Sequence, residues 1–296
     1  MTVASQHAGP IVVSGALGNV GSAVVQALSE REVAVRAADI APDALTERFG
    51  PELDVARLDF GDAATFGPVL EGAKSVFLIR PPAISRVGPT LNRFIDAAVE
   101  AGVEHVVFSS VAGAESNRIV PHHRVEKHLL QSGLAWTMLR PGFFSQNIGS
   151  AYRQDIVEDD RIFIPAGEGK VAFIDARDIG DVAALALTED GHRGQAYHLT
   201  GPEAMAIDEV AAVMSDVLGR TIRYEPASAL GYFRHLRSQG LVVVQAVVQT
   251  ILHVGLRKGD AEPVTDTVER SLGRPGRTVR EYVTDHAGTW SVSSSK

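Results

Sequence analysis

The chain has 296 residues, of which 45% are hydrophobic and 22% charged, with a formal net charge of −8 and no cysteine. This composition is typical of a globular protein, and the lack of cysteine excludes disulfides, thiol catalysis and cysteine-ligated zinc. The negative charge argues against nucleic-acid binding, which usually requires a basic face. The polar residues Met1–Gly9 lack the pattern of a signal peptide, and the longest apolar run, Leu241–Val254, is too short to span a bilayer. We therefore expect a cytoplasmic protein without nucleic-acid or membrane partners.

The apolar run Leu241–Val254 contains a polar residue at every fourth position, namely Gln245, Gln249 and His253. This spacing predicts a helix with one polar stripe. The pattern favours a buried helix, and the alternative is a lid or wall for an apolar substrate.

Strand-like apolar runs alternate with helical patterns through the first half of the chain. The predicted strands are Ile11–Ser14, Val33–Ala38, Val55–Leu58, Ser75–Ile79, His105–Ser110 and Trp136–Arg140. Helical patterns lie between them, near residues 20–31, 89–101 and 122–132. Repeated strand–helix units of this length predict an α/β fold with a Rossmann-like, doubly wound parallel sheet, in which ligands bind beyond the carboxyl ends of the strands.

The pattern changes after Pro141. The sequence then predicts, in order, a strand within 167–174, a helix over 178–188, a strand over 195–199, a helix over 208–218 and a strand over 221–224. The remainder is mostly helical. We predict a main domain of residues 1–142 and about 166–200, and a smaller, mostly helical C-terminal substrate lobe of about 143–165 and 201–296.

The segment between the first predicted strand and the first helix reads Gly15-Ala16-Leu17-Gly18-Asn19-Val20-Gly21. Strand, glycine turn and helix in this order are the context of a dinucleotide-binding loop, although the spacing is G-x-x-G-x-x-G rather than G-x-G-x-x-G. Gly15 permits a sharp turn, Gly18 lets the backbone approach a pyrophosphate, and Gly21 lets the helix pack on the strand. Because the helix N-terminus offers N–H groups to phosphates, we predict that the loop binds the nucleotide through Gly15, Leu17, Gly18, Asn19, Val20 and Gly21.

Asp39 ends the second predicted strand, near the position where an acidic residue binds the ribose 2′-hydroxyl of NAD. A carboxylate there repels the 2′-phosphate of NADP, so we predict NAD as the cofactor. NADP remains possible if Arg36 turns toward this site. The alternative role of Asp39 is to cap the helix that starts near Pro42.

The ends of the third and fourth predicted strands supply further candidates for cofactor binding. Asp59 can hydrogen-bond an adenine and Phe60 can cover it, or the pair can form a loop cap before the helix near Ala63. Arg80 and Pro81 end the next strand, and a proline that cannot continue a strand ladder suits the wall of a groove. Arg80 can approach a phosphate or the substrate, or be a surface charge.

Together with Phe108-Ser109-Ser110 and Leu139-Arg140-Pro141-Gly142-Phe143, these motifs resemble the NmrA-like family, a branch of the atypical short-chain dehydrogenase/reductase superfamily. The matches run in order from Gly15 to about Thr200. The resemblance implies a Rossmann domain that binds NAD(P) and a small substrate lobe. The family includes quinone oxidoreductases, reductases of aromatic substrates and redox-sensing regulators without catalysis.

The resemblance also implies positions around the nicotinamide. Pro141, Gly142 and Phe143 would line the nicotinamide, and Ser110 would lie at the active-site end of the fifth strand. The aromatic side chains of the lobe would suit a flat, apolar substrate, and the candidates are Phe143, Phe144, Tyr152, Phe163, Tyr232 and Phe233. We single out Phe144 and Tyr152 for substrate binding, and helix packing explains Tyr152 equally well.

The superfamily places a Tyr and, four residues later, a Lys on the helix after the fifth strand, and the Tyr moves the proton that accompanies the hydride. Here His123 stands at the Tyr position and Lys127 four residues later, so the Lys is retained and the Tyr is not. Since a His can act as acid or base near neutral pH, we predict catalytic roles for Ser110, His123 and Lys127, with Lys127 also holding the ribose. The alternative is that His122, His123 and His128 are surface residues and that Ser110 only ends a strand.

From these features we predict an NAD(P)-dependent oxidoreductase that moves hydride between the cofactor and a carbonyl or quinone of a hydrophobic, aromatic small molecule. Its oligomeric state would be a monomer or a homodimer. The missing Tyr leaves two alternatives open, a nucleotide-sensing regulator without catalysis and a non-redox enzyme on the same fold. No metal is expected, because spacings such as H-E-x-x-H are not present.

Overall fold

The computed structural model describes residues 9–291, so most of the segment on which the signal-peptide expectation rests lies outside it. The strands are β1 (Ile11–Ser14), β2 (Val35–Asp39), β3 (Asp54–Arg57), β4 (Ser75–Ile79), β5 (His105–Ser109), β6 (Ala135–Pro141), β7 (Arg161–Ile164), β8 (Lys170–Val171), β9 (Gln195–Leu199), β10 (Met205–Ala206) and β11 (Arg223–Pro226).

The α-helices are α1 (Asn19–Ser29), α2 (Pro42–Phe49), α3 (Phe66–Leu70), α4 (Arg93–Glu100), α5 (Pro121–Gln131), α6 (Gln146–Gly149), α7 (Arg153–Asp159), α8 (Ala176–Thr188), α9 (Ile207–Leu218), α10 (Ala229–Ser238), α11 (Val243–Leu256), α12 (Thr267–Leu272) and α13 (Val279–Asp285). A π-helical turn (Gly88–Asn92) precedes α4, and short 3-10 segments lie at Ala63–Thr65 and Ala287–Trp290. None of the helices within residues 9–291 is long and apolar enough to cross a membrane.

The chain divides into two compact units. Unit 1 contains the residues up to Pro141 together with Ala176–Leu199, and unit 2 contains Gly142–Asp175 together with the residues from Thr200 onward. The sequence had assigned residues 166–175 to the main domain, and the structure groups them with unit 2. The reason is that β8 pairs with β10, which belongs to unit 2.

Unit 1 is built on a seven-stranded sheet in the order β3-β2-β1-β4-β5-β6-β9, and all its strand pairs are parallel. The predicted Rossmann-like α/β fold is confirmed. Strands β1 and β5 are buried at every position, as expected for parallel strands covered on both faces. The strand order reverses between β1 and β4, which makes this point of the carboxyl edge the usual place for a ligand.

Unit 2 has two small sheets and a core of its own. Strand β7 pairs in parallel with β11, and β8 pairs antiparallel with β10. The largest fully buried side chains of this core are Phe173, Tyr232 and Trp290. The strand predicted over 167–174 is only two residues long, because the following residues hydrogen-bond to other segments, such as the Ala172 N–H to the Ala261 carbonyl at 2.8 Å.

Helix α11 differs from the prediction of a buried helix. Its apolar side chains face solvent, with Val244 72% exposed and Ile251 64% exposed. On the opposite side His253 is buried and Gln249 is half-buried, whereas Gln245 near the start of the helix is exposed. The helix itself was predicted correctly, and only the C-terminal part of its polar stripe faces the core of unit 2.

Candidate nucleotide-binding and catalytic site

The glycine loop after β1 has a geometry that only glycine permits at two of its positions. Gly15 has a φ of +63°, in the left-handed region, and the Gly18 N–H donates to its carbonyl at 3.0 Å. A Cβ at Gly21 would lie 2.1 Å from the Gly15 carbonyl oxygen, a distance that no side chain tolerates. The loop therefore folds directly beneath the first turn of α1 because both residues lack side chains.

The first turn of α1 is suited to bind phosphate groups. The first N–H groups of a helix have no acceptor within the helix, and they concentrate the positive end of its dipole. Within the described part of the chain, no side chain caps this helix, and its first turn contains no acidic residue. Gly18 and Asn19 are exposed in front of it. The residues present thus fit the pyrophosphate of a dinucleotide, with the N–H groups of Asn19, Val20 and Gly21 as donors.

Asp39 contacts the glycine loop directly. Its Oδ2 accepts a hydrogen bond from the Leu17 N–H at 3.1 Å, and its Oδ1 accepts one from the Ile40 N–H at 2.8 Å. The Arg48 guanidinium donates to the Leu17 carbonyl at 3.0 Å from the last turn of α2. A carboxylate and an exposed guanidinium thus meet at the loop residue Leu17, and no sequence motif had singled out Arg48.

Arg36 does not turn toward this edge of the sheet. It pairs with Asp54 at 2.8 Å and donates to the Val69 and Glu71 carbonyls at 3.0 and 2.7 Å. These contacts cap the C-terminal end of α3. Arg36 therefore does not turn toward the nucleotide site, the orientation in which it would have favoured binding of NADP.

Asp59 and Phe60 have separate surroundings at the end of β3. The Asp59 Oδ1 accepts from the Gly61 N–H at 2.9 Å, and the carboxylate remains partly exposed. The Phe60 ring is 5% exposed and packs edge-to-face on Phe94 at 5.4 Å between centroids. This packing inside the core leaves the ring little surface with which to cover an adenine, whereas Asp59 is accessible at the carboxyl edge.

Arg80 organises the segment after β4. It donates to the carbonyls of Pro81 and Ile84 at 2.9 and 2.6 Å, and its Nε donates to Nε2 of His122 at 3.1 Å. Burial, followed by the Arg80 charge, lowers the pKa of His122 to about 4, so this imidazole is neutral at physiological pH. Arg80 therefore holds the loop and α5 together, and Pro81 is half-buried in the segment it shapes.

Ser110 belongs to a buried ionic network rather than to an open active-site position. Its hydroxyl donates to Oε1 of Glu126 at 2.6 Å, and both residues are 3% exposed. Arg140 donates to the two oxygens of the same carboxylate at 3.0 and 2.8 Å. The geometry does not support the catalytic role predicted for Ser110, because its one hydroxyl proton is used within the protein. Its role is to join β5, α5 and β6.

His123 and Lys127 lie on α5 beside this network. The Nδ1 of His123 is 2.8 Å from the Ala114 carbonyl oxygen. Because a carbonyl only accepts, Nδ1 has the hydrogen and Nε2 is left as the basic nitrogen of the ring. His123 is half-buried and Lys127 is exposed one turn later. The alternative of an unconstrained surface histidine does not describe His123, whose ring is oriented by the loop that follows β5.

The remaining sequence candidates continue from the end of β6. Pro141 is buried at the edge of unit 1, and Gly142 begins unit 2. In unit 2 the Phe143 ring packs edge-to-face on Phe173 and His253, at 5.7 and 5.5 Å.

Phe144 and Tyr152 were singled out for substrate binding. Phe144 is half-buried and bridges to Ile174. Tyr152 is 2% exposed, and its hydroxyl lies 2.8 Å from Nε2 of His253, whose Nδ1 donates to the Gln249 carbonyl. Burial raises the pKa of Tyr152 well above its usual range, so the phenol is the donor in this pair. Tyr152 is a core residue of unit 2, which corrects its assignment to the substrate.

The contacts of two residues of unit 1, Glu126 and Arg48, could not be predicted from the sequence. Glu126 has the pattern of a solvated helix position between His123 and Lys127, and only the tertiary fold brings Arg140 to it. Arg48 cannot be told from the other arginines and lysines of the surface by its sequence context.

Among residues 9–291 no cluster of three or more His, Cys, Asp or Glu side chains could hold a metal ion.

A parallel sheet with a tight glycine loop and an uncapped helix N-terminus at its switch point defines a dinucleotide-binding domain of the Rossmann type. The sequence profile of the NmrA-like family matches residues 7–284. The chain belongs to the NmrA-like family, as its motifs predicted.

Several relatives are similar over nearly the whole chain. An NAD(P)H azoreductase of Xenophilus azovorans is 34% identical over 287 residues, which cover 96% of this chain and 100% of the azoreductase. The NADPH complex of an Escherichia coli NADPH-dependent quinone oxidoreductase superposes with a TM-score of 0.83 at 28% identity, over 93% of this chain and 99% of that one. NmrA itself, described as a negative transcriptional regulator, superposes with a TM-score of 0.72 at 19% identity over 94% and 95% of the two chains, a likeness of fold alone.

Proposed function

We propose that this protein is an NAD(P)H-dependent reductase of quinones and related flat aromatic acceptors. The single observation that carries the proposal is the uncapped N-terminus of α1 behind the glycine loop, at the switch point of the sheet. Strand β5 belongs to the same sheet, and helix α5 follows it in the chain. This helix supplies an oriented imidazole, that of His123, beside the loop at the carboxyl end of β5. A binding site for the cofactor and a group that can move a proton are thus both present in unit 1.

The cofactor would be held by residues of unit 1, among which the role of Lys127 is the one that the family resemblance implies. The first N–H groups of α1 would bind the pyrophosphate, Asp39 and Arg48 would meet the adenosine ribose, and Lys127 would meet the nicotinamide ribose. When bound, the reduced nicotinamide supplies a hydride. The position of Arg48 supports use of NADPH as well as NADH, because its guanidinium can offset the repulsion between Asp39 and a 2′-phosphate.

The contribution of the chain itself is a proton transferred through Nε2 of His123. Because the neutral ring has its hydrogen at Nδ1, Nε2 must first take up this proton from solvent. A quinone that gains one hydride needs one proton to become the hydroquinone. The hydride from the cofactor and the proton from His123 thus account for both hydrogen atoms of the product. The Ala114 carbonyl fixes the ring through Nδ1, so that only Nε2 faces the reaction as acid or base. The buried pair of Glu126 and Arg140 holds the helix that contains His123 against β6.

The acceptor class is supported by the relatives. The similar proteins include an azoreductase and a quinone oxidoreductase, and azo compounds and quinones are both flat conjugated molecules. The half-buried aromatic residues Phe143 and Phe144, which follow Pro141, are consistent with an acceptor of that shape.

The test is steady-state oxidation of NADPH and NADH with a panel of benzoquinones, naphthoquinones and azo dyes. We expect turnover with at least one acceptor class. His123→Ala should lower kcat by about 100-fold while cofactor affinity changes less than about threefold, because general acid catalysis contributes about 100- to 10,000-fold. The matched control is His128→Ala on the same helix. Turnover equal to wild type in His123→Ala would remove this residue from the mechanism, and no turnover with any acceptor would contradict the reductase.

A second candidate function is supported by the His at position 123, where the resemblance to the superfamily implies the proton-moving Tyr. A protein that binds NAD(P) without turning it over would have the same glycine loop. Such a sensor must discriminate between nucleotides. Affinities for NAD, NADH, NADP and NADPH that differ by more than tenfold, in a protein without turnover, would favour the sensor.

A further inference from the structure

Helix α11 exposes a continuous apolar surface. Its residues Val243, Val244, Val247, Val248, Ile251 and Leu252 are between 41% and 72% exposed, and we call them the α11 face. At about 100° per residue these six positions occupy one half of the helix circumference. Ala246, His253 and Leu256 lie on the other half and are buried in unit 2. The helix thus has its apolar side toward solvent and its histidine toward the core, the reverse of an ordinary surface helix.

The size of this surface sets it apart from scattered exposed side chains. The six residues leave on the order of 600 Å² in contact with solvent, the upper end of the largest apolar patch on a typical monomer. Two copies that covered this area would bury about 1,200 Å² in total, the lower end of specific, stable interfaces. Complete burial of the α11 face would therefore reach the area of a small but specific dimer interface.

The charge pattern around the α11 face favours a protein partner. No charged residue occurs in the sequence between Arg237 and Arg257, so nothing on the helix repels a second copy of itself. Helices that lie on membranes usually have Lys and Arg along the side opposite their apolar face, and α11 has neither. Burial lowers the pKa of His253 to about 4, so the helix also has no charge there at neutral pH.

The spacing of the side chains is self-complementary. Val244, Val248 and Leu252 form a row with one residue every four positions, the ridge that packs into an equivalent groove of another helix. In an isologous contact, residue i of one copy meets residue j of the other and the reverse. An antiparallel pair of α11 helices centred on Val248 places Val244 of each copy against Leu252 of its partner.

We propose that the α11 face binds the α11 face of a second copy of this chain, across a two-fold axis that passes near Val248. The occupant is thus defined as another molecule of the same protein. This dimer does not depend on the reductase activity, so its test is separate from the test of that function.

Sedimentation velocity of the full chain tests the dimer directly. We expect a dimer at low micromolar concentration and a dimer dissociation constant at least about 100-fold higher in Val248→Glu, because the interface would bury an unpaired charge. The matched control is Ile119→Glu, since Ile119 is an exposed apolar residue of unit 1, 88% accessible. Retained far-ultraviolet circular dichroism and NADPH binding in both variants would show that they are folded.

Cysteine cross-linking tests the axis, and the chain has no cysteine of its own to interfere. We expect Val248→Cys to form a disulfide-linked dimer under mild oxidation, and Ile119→Cys to remain unlinked. A mixture of Val244→Cys and Leu252→Cys should give a linked heterodimer, and either protein alone should link poorly.

Four results would overturn the proposal. They are a wild-type monomer at tens of micromolar, a dimer unaffected by Val248→Glu, a monomer that binds phospholipid vesicles through Val248, and a monomer whose turnover falls when Val248 is changed. The last two would assign the α11 face to a membrane or to a lid over the substrate.

Discussion

Gly21 lies so close to Gly15 that a Cβ at position 21 would be 2.1 Å from the Gly15 carbonyl oxygen. This contact places the first turn of α1 directly over the end of β1 and aims its N–H groups at the carboxyl edge of the sheet. A side chain at Gly21 must push the helix and the loop apart, so the proposed pyrophosphate site depends on glycine at this position.

Gly21→Val should therefore abolish cofactor binding. We expect the NADPH dissociation constant to rise at least about 100-fold, because the displaced backbone no longer presents its N–H groups together. Fluorescence titration measures it. Gly67→Ala is the matched control, since a Cβ there meets nothing within 4 Å. Wild-type affinity in Gly21→Val would contradict the assigned site.

Asp39→Asn should shift the preference between cofactors. The substitution keeps an oxygen that can accept from the Leu17 N–H and removes the charge that faces a 2′-phosphate. We expect the ratio of NADPH to NADH affinity to rise about tenfold at low salt, and Arg48→Ala to lower that ratio. Asp43→Asn, an exposed carboxylate on α2, is the control. An equal change in both affinities would show that Asp39 does not face the ribose.

Glu126→Ala should destabilise unit 1 strongly. It removes the bidentate partner of Arg140, which is 13% exposed and then keeps only the exposed Glu115 at 3.4 Å. Breaking a buried ion pair costs up to about 3–5 kcal/mol. Ser110→Ala should cost about 1.5–3 kcal/mol, because it removes one hydrogen bond to a charged group. Urea denaturation measures the free energy of unfolding of both variants. Arg124→Ala is the control, since Arg124 is exposed, and its free energy of unfolding should lie within about 0.5 kcal/mol of wild type. A free energy of unfolding unchanged in Glu126→Ala would contradict the structural role of this network.

Buried histidines should make the protein less stable in acid. The pKa values of His105, His122 and His253 are lowered from 6.5 to about 4, mainly by burial. The unfolded chain then binds more protons than the folded chain between pH 6.5 and 4. Stability is therefore full above pH 6.5 and falls as the pH drops through this window, by up to about 1.4 kcal/mol per pH unit for each histidine.

Nuclear magnetic resonance titration of the histidine ring protons checks this directly. We expect three rings that stay neutral down to about pH 5, and His122→Gln should remove one of them and reduce the slope of stability against pH by about one proton. Titration of all ten histidines near pH 6.5 would show that these rings are not buried as described.

The parts of the fold that the sequence predicted are those that local patterns encode. Strands β1 and β4 have the predicted bounds, since each is a short apolar run that ends at a turn signal. The glycine loop was recognisable because its function requires glycine at fixed positions. The NmrA-like resemblance rested on such local motifs, and the family assignment is confirmed.

The parts that sequence did not reveal depend on contacts between distant segments. Glu126 and Arg140 are 14 positions apart, and neither has a neighbour in sequence that marks it as buried. Tyr152 was expected to face substrate, and its partner His253 is 101 positions away. The periodicity of α11 identified its polar stripe but not which side faces the core, because a period does not specify direction.

Anaerobic single turnover with one equivalent of NADPH and an excess of a naphthoquinone tests the reductase activity most directly. We expect loss of the absorbance of reduced nicotinamide together with formation of one equivalent of hydroquinone, at a rate at least about 100-fold slower in His123→Ala. Tight binding of NADPH with no oxidation by this or any other quinone or azo dye would contradict a reductase and leave the nucleotide sensor as the function of this fold.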